Sequence, residues 1–395
     1  MKKILFILII PMIFAWIPAI SQTRSITFIE KPFSELLAQA KTENKLIFLD
    51  AYTTWCGPCK WMAANMFTKD TIADYFNKTF VCAHFDMEKG EGPELAKTFQ
   101  VMVYPTLLFI NSAGELVHKQ AGALQNVREY FDMATVALTP GEGFIACMKK
   151  FSEGNRDPGF ILKYLDRLQG AYMPVTEPLN QYFASVKAED LLNRPNWDIL
   201  YRYLSDMDSR EFAFLLKNQD EFAKRYTKDS VDSKIFNVYF QSLTAGTRNR
   251  SFTEADYNAL KQKIRESGYR GAEKVIFTSD LNSLQMKGDG EKFISLALSG
   301  VDTYFSDDYA MLSRMAGAFA QITKDTKNLE AAAEWAKKST ALKSTAENNS
   351  TCASLMFKLG KKGDAIRYQK KAVEAARREQ LPVKQYETML KVYQE

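Results

Sequence analysis

Short apolar runs that read as buried strands are confined to one part of this 395-residue chain, between residues 25 and 138. "LIFLDAY" (46–52) is apolar apart from Asp50 and Tyr52 and suits a strand covered on both faces. "TFVCAHFDM" (79–87) is a second strand, and "TLLFINSAGELVHKQAG" (106–122) is two more around a Ser-Ala-Gly turn. Helical spacing fills the gaps. Phe33, Leu36, Leu37 and Ala40 share one face of 33–45, residues 59–77 read as helix with a break near Thr68-Lys69-Asp70, and "GPELAKTFQ" (92–100) carries Pro93 early, where a missing N–H costs nothing. "LQNVREYFDMATVAL" (124–138) closes the region. The order βαβ then αββα predicts a mixed central sheet with helices on both faces, over residues 25–138.

Thr139-Pro140-Gly141-Glu142-Gly143 ends that pattern, and residues 140–395 read as an all-α domain of ten to twelve helices. Examples are 160–168, 196–207, "REFAFLLKNQDEFAKRY" (210–226) and 234–243. A repeat with an offset of 33 places Ala332 on Ala365 and Lys337-Lys338 on Lys370-Lys371. "ASLMFKLGKKGDA" before the second copy resembles the helix-turn-helix of a tetratricopeptide repeat, so 310–395 is expected to be a stacked helical repeat, with "PVKQYETMLKVY" (382–393) as capping helix. A generic helical bundle is the other reading. This half offers no histidine, phosphate loop or metal spacing, and a helical-repeat surface points to a protein or peptide groove.

The N-terminus reads as a secretory signal over 1–21. Lys2-Lys3 precede the apolar run "ILFILIIPMIFAWI", and Ala19-Ile20-Ser21 form a cleavage site before Gln22. The expectation is an exported, periplasmic protein without a stable membrane span after cleavage after Ser21. Removing the two lysines takes the net charge from +5 to +3, which gives no basis for nucleic-acid binding.

Five cysteines, at 56, 59, 82, 147 and 352, are too few for a stapled scaffold, and only Cys56 and Cys59 are close. Cys56 falls where the strand 46–52 gives way to a helix. The unpaired N–H groups and positive dipole end there favour a thiolate. Pro58 suits the first helical turn, and Cys59 lies one turn in, within reach of a mixed disulfide on Cys56. Zinc needs four ligands, and the remaining cysteines with His84 and His118 form no second clip, so no metal site and no cofactor are expected. A purely structural disulfide is the third reading. Asp50 sits among Phe48, Leu49 and Ala51; burial there raises its pKa and fits it to take the Cys59 proton. Cys82 reads as a core thiol, His84 and His118 as strand residues, Met62 and Met66 as core-facing, and Trp61 as an exposed contact.

The strings "WCGPCK" (55–60), "FDMEK" (85–89), "VYPTLLFI" (103–110), "SAGE" (112–115) and "AGAL" (121–124), with Asp50, come in an order and spacing that resemble the thioredoxin family. The longer "WCGPCKWMAANMF" with "TFVCAHFDME" is most similar to exported thioredoxin-like domains, including the C-terminal domain of the transmembrane thiol:disulfide interchange reductase. The resemblance implies a thioredoxin fold over 25–138 and a redox disulfide Cys56–Cys59, with Cys56 the exposed nucleophile and Cys59 the resolving thiol. It makes Pro105 a cis-proline facing the site and leaves the Tyr104 backbone free to pair with substrate. Trp55, Tyr104 and Thr106 become substrate contacts, with Gly57, Pro58 and Lys60 supporting the site. Tyr104 departs from the small aliphatic residue common in thioredoxins.

Two functions compete. One is an exported thiol–disulfide oxidoreductase that reduces or isomerises protein disulfides, fed by a membrane electron-relay reductase, with the helical domain recruiting substrate or redox partner. The other is a helical-repeat adaptor whose thioredoxin domain is secondary.

Overall fold

Side chains on a strand alternate between its two faces, and that rule decides where the site residues lie. A computed structural model describes residues 24–248 and 252–395; the expected leader at 1–21 lies outside the described residues. The first elements are α1 (Phe33–Glu43), β1 (Ile47–Tyr52), α2 (Gly57–Asn65), α3 (Asp70–Thr79), β2 (Val81–Asp86), α4 (Gly92–Thr98), β3 (Thr106–Ile110), β4 (Leu116–Ala121) and α5 (Val127–Leu138). The sheet order is β2-β1-β3-β4, with β1 and β2 parallel and the other neighbours antiparallel. This is the mixed sheet expected from the alternation, in the thioredoxin-like form that the resemblance implies.

Ile47, Leu49 and Ala51 join Leu36, Leu95 and Leu108 in one buried layer. Phe48 faces the other layer, with Met62, Phe76, Phe109 and Tyr130. Its ring lies 4.8 Å from Phe76 and 5.4 Å from Phe109. Burying a ring of that size stabilises by about 2–3 kcal/mol. Asp50 is two residues on from Phe48, so alternation aims it into the same layer, among core residues contributed by α2, α3 and α5.

Beyond Leu138 lie α6 (Phe144–Ser152), α7 (Pro158–Gly170), α8 (Thr176–Ser185), a 3-10 turn (Ala188–Leu192) and α9 (Arg194–Tyr203). The contacts gather the described residues into two compact units, one ending at Tyr203 and the other beginning at Leu204. The Thr139–Gly143 break therefore separates element types within one unit. Helices α6 and α7 pack against β4, an outermost strand of the sheet. The break itself is fastened: Lys150 Nζ donates to Gly141 O at 2.8 Å, Arg167 Nε donates to Glu142 O at 3.3 Å, and Lys163 pairs with the Glu142 carboxylate at 2.6 Å.

The second unit holds α10 (Arg210–Lys217), α11 (Gln219–Tyr226), α12 (Lys228–Arg248), α13 (Glu254–Glu266), α14 (Ala272–Lys287), α15 (Gly290–Tyr304), α16 (Tyr309–Ile322), α17 (Thr326–Leu342), α18 (Ala346–Lys358), α19 (Lys362–Arg378) and α20 (Lys384–Gln394). Fifteen α-helices, α6 to α20, thus follow the sheet among the described residues, against the ten to twelve expected. Part of the excess comes from short helices: 210–226 reads as one but is two. Asn218 leaves helical geometry (φ −113°, ψ 21°) and its Nδ2 donates to Phe214 O at 2.8 Å, which ends α10. Ala332 on α17 and Ala365 on α19, aligned by the repeat, are both fully buried in one apolar cluster. No helix among the described residues is long and apolar enough to cross a membrane.

Candidate active site

Cys56 and Cys59 are joined by a disulfide, with their Cα atoms 5.3 Å apart. Cys56 is the N-cap of α2: its backbone is extended, and its Sγ accepts the Cys59 N–H at 3.1 Å. Its own N–H donates to Thr53 O at 3.2 Å, closing the turn out of β1. Pro58 sits in the first turn of α2, where its fixed φ suits the helix and its missing N–H leaves no bond unmade. A helix terminus of this kind presents unpaired N–H groups to the sulfur, and those groups favour a thiolate once the disulfide opens.

The resemblance implied an exposed Cys56. In the disulfide it is 3% exposed, as its sulfur is bonded to Cys59 and turned to the Cys59 N–H. Cys59 is buried too. Gly57, between them, has open space where a side chain would stand, and its backbone does not need glycine. Lys60 and Trp61 are exposed on the outer side of α2, while Met62 and Met66 are buried in the core.

Asp50 is buried, and burial pushes its carboxyl from 3.8 up to about 7. Its Oδ1 has no hydrogen-bond partner among the described residues. A carboxyl poised there exchanges a proton near neutral pH, which is what the resolving step of dithiol chemistry requires of a base. Tyr130 of α5 lies close enough to Asp50 to feel its charge; burial first, then Asp50, holds the tyrosine hydroxyl well above its usual range.

The Tyr104–Pro105 peptide bond is cis and Pro105 is buried. Thr106 does not serve as a side-chain contact for substrate: it is fully buried, and its Oγ1 donates to Val103 O at 2.7 Å. Its position at the start of β3, with Ala51 and Ala121 as register partners, turns the side chain inward. Tyr104 is half-buried and its ring stands nearly perpendicular to that of Trp55, ring centroids 6.0 Å apart at 81°. Trp55 is 65% exposed.

Sequence reasoning missed the role of Glu88. Its two carboxylate oxygens accept the Trp55 Nε1–H at 3.0 and 3.1 Å. The signal was the parallel pairing of β1 and β2: Tyr52 is in register with Asp86, so residues three and two positions further on emerge side by side. Cys82 is buried, its thiol pushed up to about 12 by burial. His84 stacks on Phe28 at 4.8 Å, and burial, with Arg167 nearby, pushes His118 down to about 3. Among the described residues no cluster of metal-ligating side chains occurs.

The thioredoxin family model matches residues 25–131. Thioredoxin H4 of Arabidopsis thaliana is 39% identical over 87 residues, which are 22% of this chain and 68% of that protein. A bifunctional thioredoxin reductase/thioredoxin of Mycobacterium leprae is 32% identical over 95 residues, 24% of this chain but only 19% of the relative. Among solved structures, a candidate disulphide-isomerase from Bacteroides thetaiotaomicron is 45% identical, covering 30% of this chain and 98% of that one, with a TM-score of 0.29. The chain therefore belongs to the thioredoxin family, and its first unit carries a thiol–disulfide oxidoreductase centre at Cys56 and Cys59.

Proposed function

We propose that the chain is an exported protein-disulfide reductase or isomerase, and that its second unit recruits the polypeptide substrate or a redox partner. The observation that carries the catalytic part is the Cys56–Cys59 disulfide at the start of α2, with the raised carboxyl of Asp50 in the same unit. In the reducing direction the Cys56 thiolate attacks a substrate disulfide, and one substrate sulfur leaves as a thiolate. Asp50 accepts the Cys59 proton, and Cys59 attacks Cys56 Sγ. The mixed disulfide breaks, both substrate sulfurs end as thiols, and the protein is left oxidised by two electrons. Trp55, Tyr104, Lys60 and the Tyr104 backbone line the approach.

Export is supported by residues 1–21. Outside the cytosol no soluble reductant is at hand, so a membrane electron-relay reductase has to return the two electrons. Recruitment is supported by a groove of about 630 Å³ in the second unit, between α16, α18 and α20, where Gln321, Glu347, Thr351, Lys358, Tyr386 and Tyr393 mix charge, hydroxyls and aromatic faces. The hairpins α16/α17 and α18/α19 carry the tetratricopeptide-like repeat.

The test is Cys59→Ser expressed with its leader in a bacterial host. Mixed disulfides on Cys56 with exported proteins are expected, on a mature chain beginning at Gln22. No trapped partner sinks the oxidoreductase reading, and a chain retaining Met1 sinks export. A reduction potential near the oxidant end, ~−120 mV, rather than near the ~−270 mV of thioredoxins, overturns the reducing direction.

A further inference from the structure

We propose that Glu88 is a positioning residue that holds Trp55 against Tyr104 and makes the docking rim acidic, so that the centre prefers disulfides flanked by basic side chains. The inference rests on the oxidoreductase reading for its substrate half and on geometry alone for its positioning half.

An indole 65% exposed beside a reactive disulfide has little packing to fix its orientation. Trp55 is fixed from two sides instead. Its N–H lies on both Glu88 oxygens, and its ring packs in a T-shaped contact with Tyr104. Glu88 is itself held, since its backbone N–H donates to Asp86 Oδ1 at 3.1 Å, and Asp86 also pairs with Lys89 at 3.1 Å. Gly92 locks the same turn, because a Cβ there would stand 1.9 Å from Asp86 O. The three residues form a fixed rim in which the carboxylate belongs to β2's exit, the indole to β1's exit and the phenol to the approach to β3.

The carboxylate does a second thing. One indole N–H uses a fraction of its acceptor capacity, which for an ionised carboxyl is about four sites. Glu88 is exposed and, among the described residues, has no cation within salt-bridge distance. A negative charge is therefore presented on the Trp55 side of the approach, away from the exposed Lys60 that follows Cys59 in the chain, and an incoming Lys or Arg that docks against Trp55 meets it. Such a rim charge acts on docking and encounter more than on the chemical step.

Two variants separate the halves. Glu88→Gln keeps an acceptor for the indole and removes the charge; Glu88→Ala removes both. Two synthetic peptides, each with one intramolecular disulfide flanked by Lys-Lys or by Glu-Glu, are reduced by the full-length protein. Wild type is expected to favour the Lys peptide, and Glu88→Gln to shrink that preference about two- to five-fold through KM with kcat unchanged. Solvent exchange of the Trp55 Nε1–H, assigned by its loss in Trp55→Phe, is expected to stay slow in Glu88→Gln and quicken in Glu88→Ala. An unchanged preference in Glu88→Gln overturns the docking half. Equal exchange in Glu88→Ala and wild type overturns the positioning half. Wild type inactive on both peptides strikes the oxidoreductase reading instead, and the exchange arm still decides whether Glu88 holds the indole.

Discussion

A carboxyl buried without a partner costs the folded state, and Asp50 makes that cost dependent on pH. Its unfolded pKa is near 3.9; in the fold burial puts it at about 7. Between those values the native protein binds more protons than the unfolded chain, so stability falls as pH rises from about 4 through about 7 and is level above. Three pH units correspond to about 4 kcal/mol. Asp50→Asn in the oxidised protein should therefore gain up to about 4 kcal/mol over wild type at pH 8 and little at pH 4. Denaturant unfolding at the two pH values checks this, and an equal gain at both would falsify it. On the proposed mechanism, in which Asp50 accepts the Cys59 proton, the same variant should resolve mixed disulfides more slowly. Asp50 and the cysteines were legible in the sequence because their evidence is local: one carboxyl inside an apolar run, and two thiols one helical turn apart. Glu88 and Tyr130 were not, because they reach Trp55 and Asp50 through strand pairing and helix packing across 33 and 80 residues. Thr106 was misread for a related reason, as sequence placed it beside Pro105 without saying which face of β3 its side chain takes.

At the scale of elements, the strands and the helices before residue 138 fall within a few residues of their expected positions, since period-2 and period-3.6 patterns are strong there. The helical remainder was less legible. A polar residue such as Asn218 ends one helix and starts the next without a Gly or Pro to mark it. The packing of α6 and α7 on β4 left no sequence signal at all, because a segment rich in Pro and Gly looks like a linker whatever it is docked on. Gly143 records that docking in atoms: a Cβ there would stand 2.5 Å from Val117 O. Gly143→Ala should destabilise the first unit by about 1–3 kcal/mol, the usual cost of overpacking, as read by its unfolding midpoint. A change below about 0.5 kcal/mol would show that α6 rides loosely on the sheet.

The molecule as a whole divides after Tyr203, not at Pro140. A chain ended at Pro140 loses α6 and α7 and bares β4, and an uncovered edge strand recruits a second copy. Light scattering should show self-association of that shorter chain and a monodisperse species for one ended at Tyr203. The reverse order would mean that α6–α9 belong functionally with the second unit. The distinction decides where a deletion that tests recruitment has to start, because removing residues from 140 onward would damage the catalytic unit as well as the groove.

The three cysteines outside the centre set the stoichiometry of the whole device. Cys82, Cys147 and Cys352 are buried, and burial holds all three thiols above their usual range. Enclosed in this way, none is open to a mixed disulfide, and none is paired as a second redox disulfide. In the proposed reducing direction each chain thus carries two electrons and no reserve, and it is spent after a single substrate. Its throughput is then a property of traffic: how often a charged chain meets a substrate, and how soon a spent one finds its reductant.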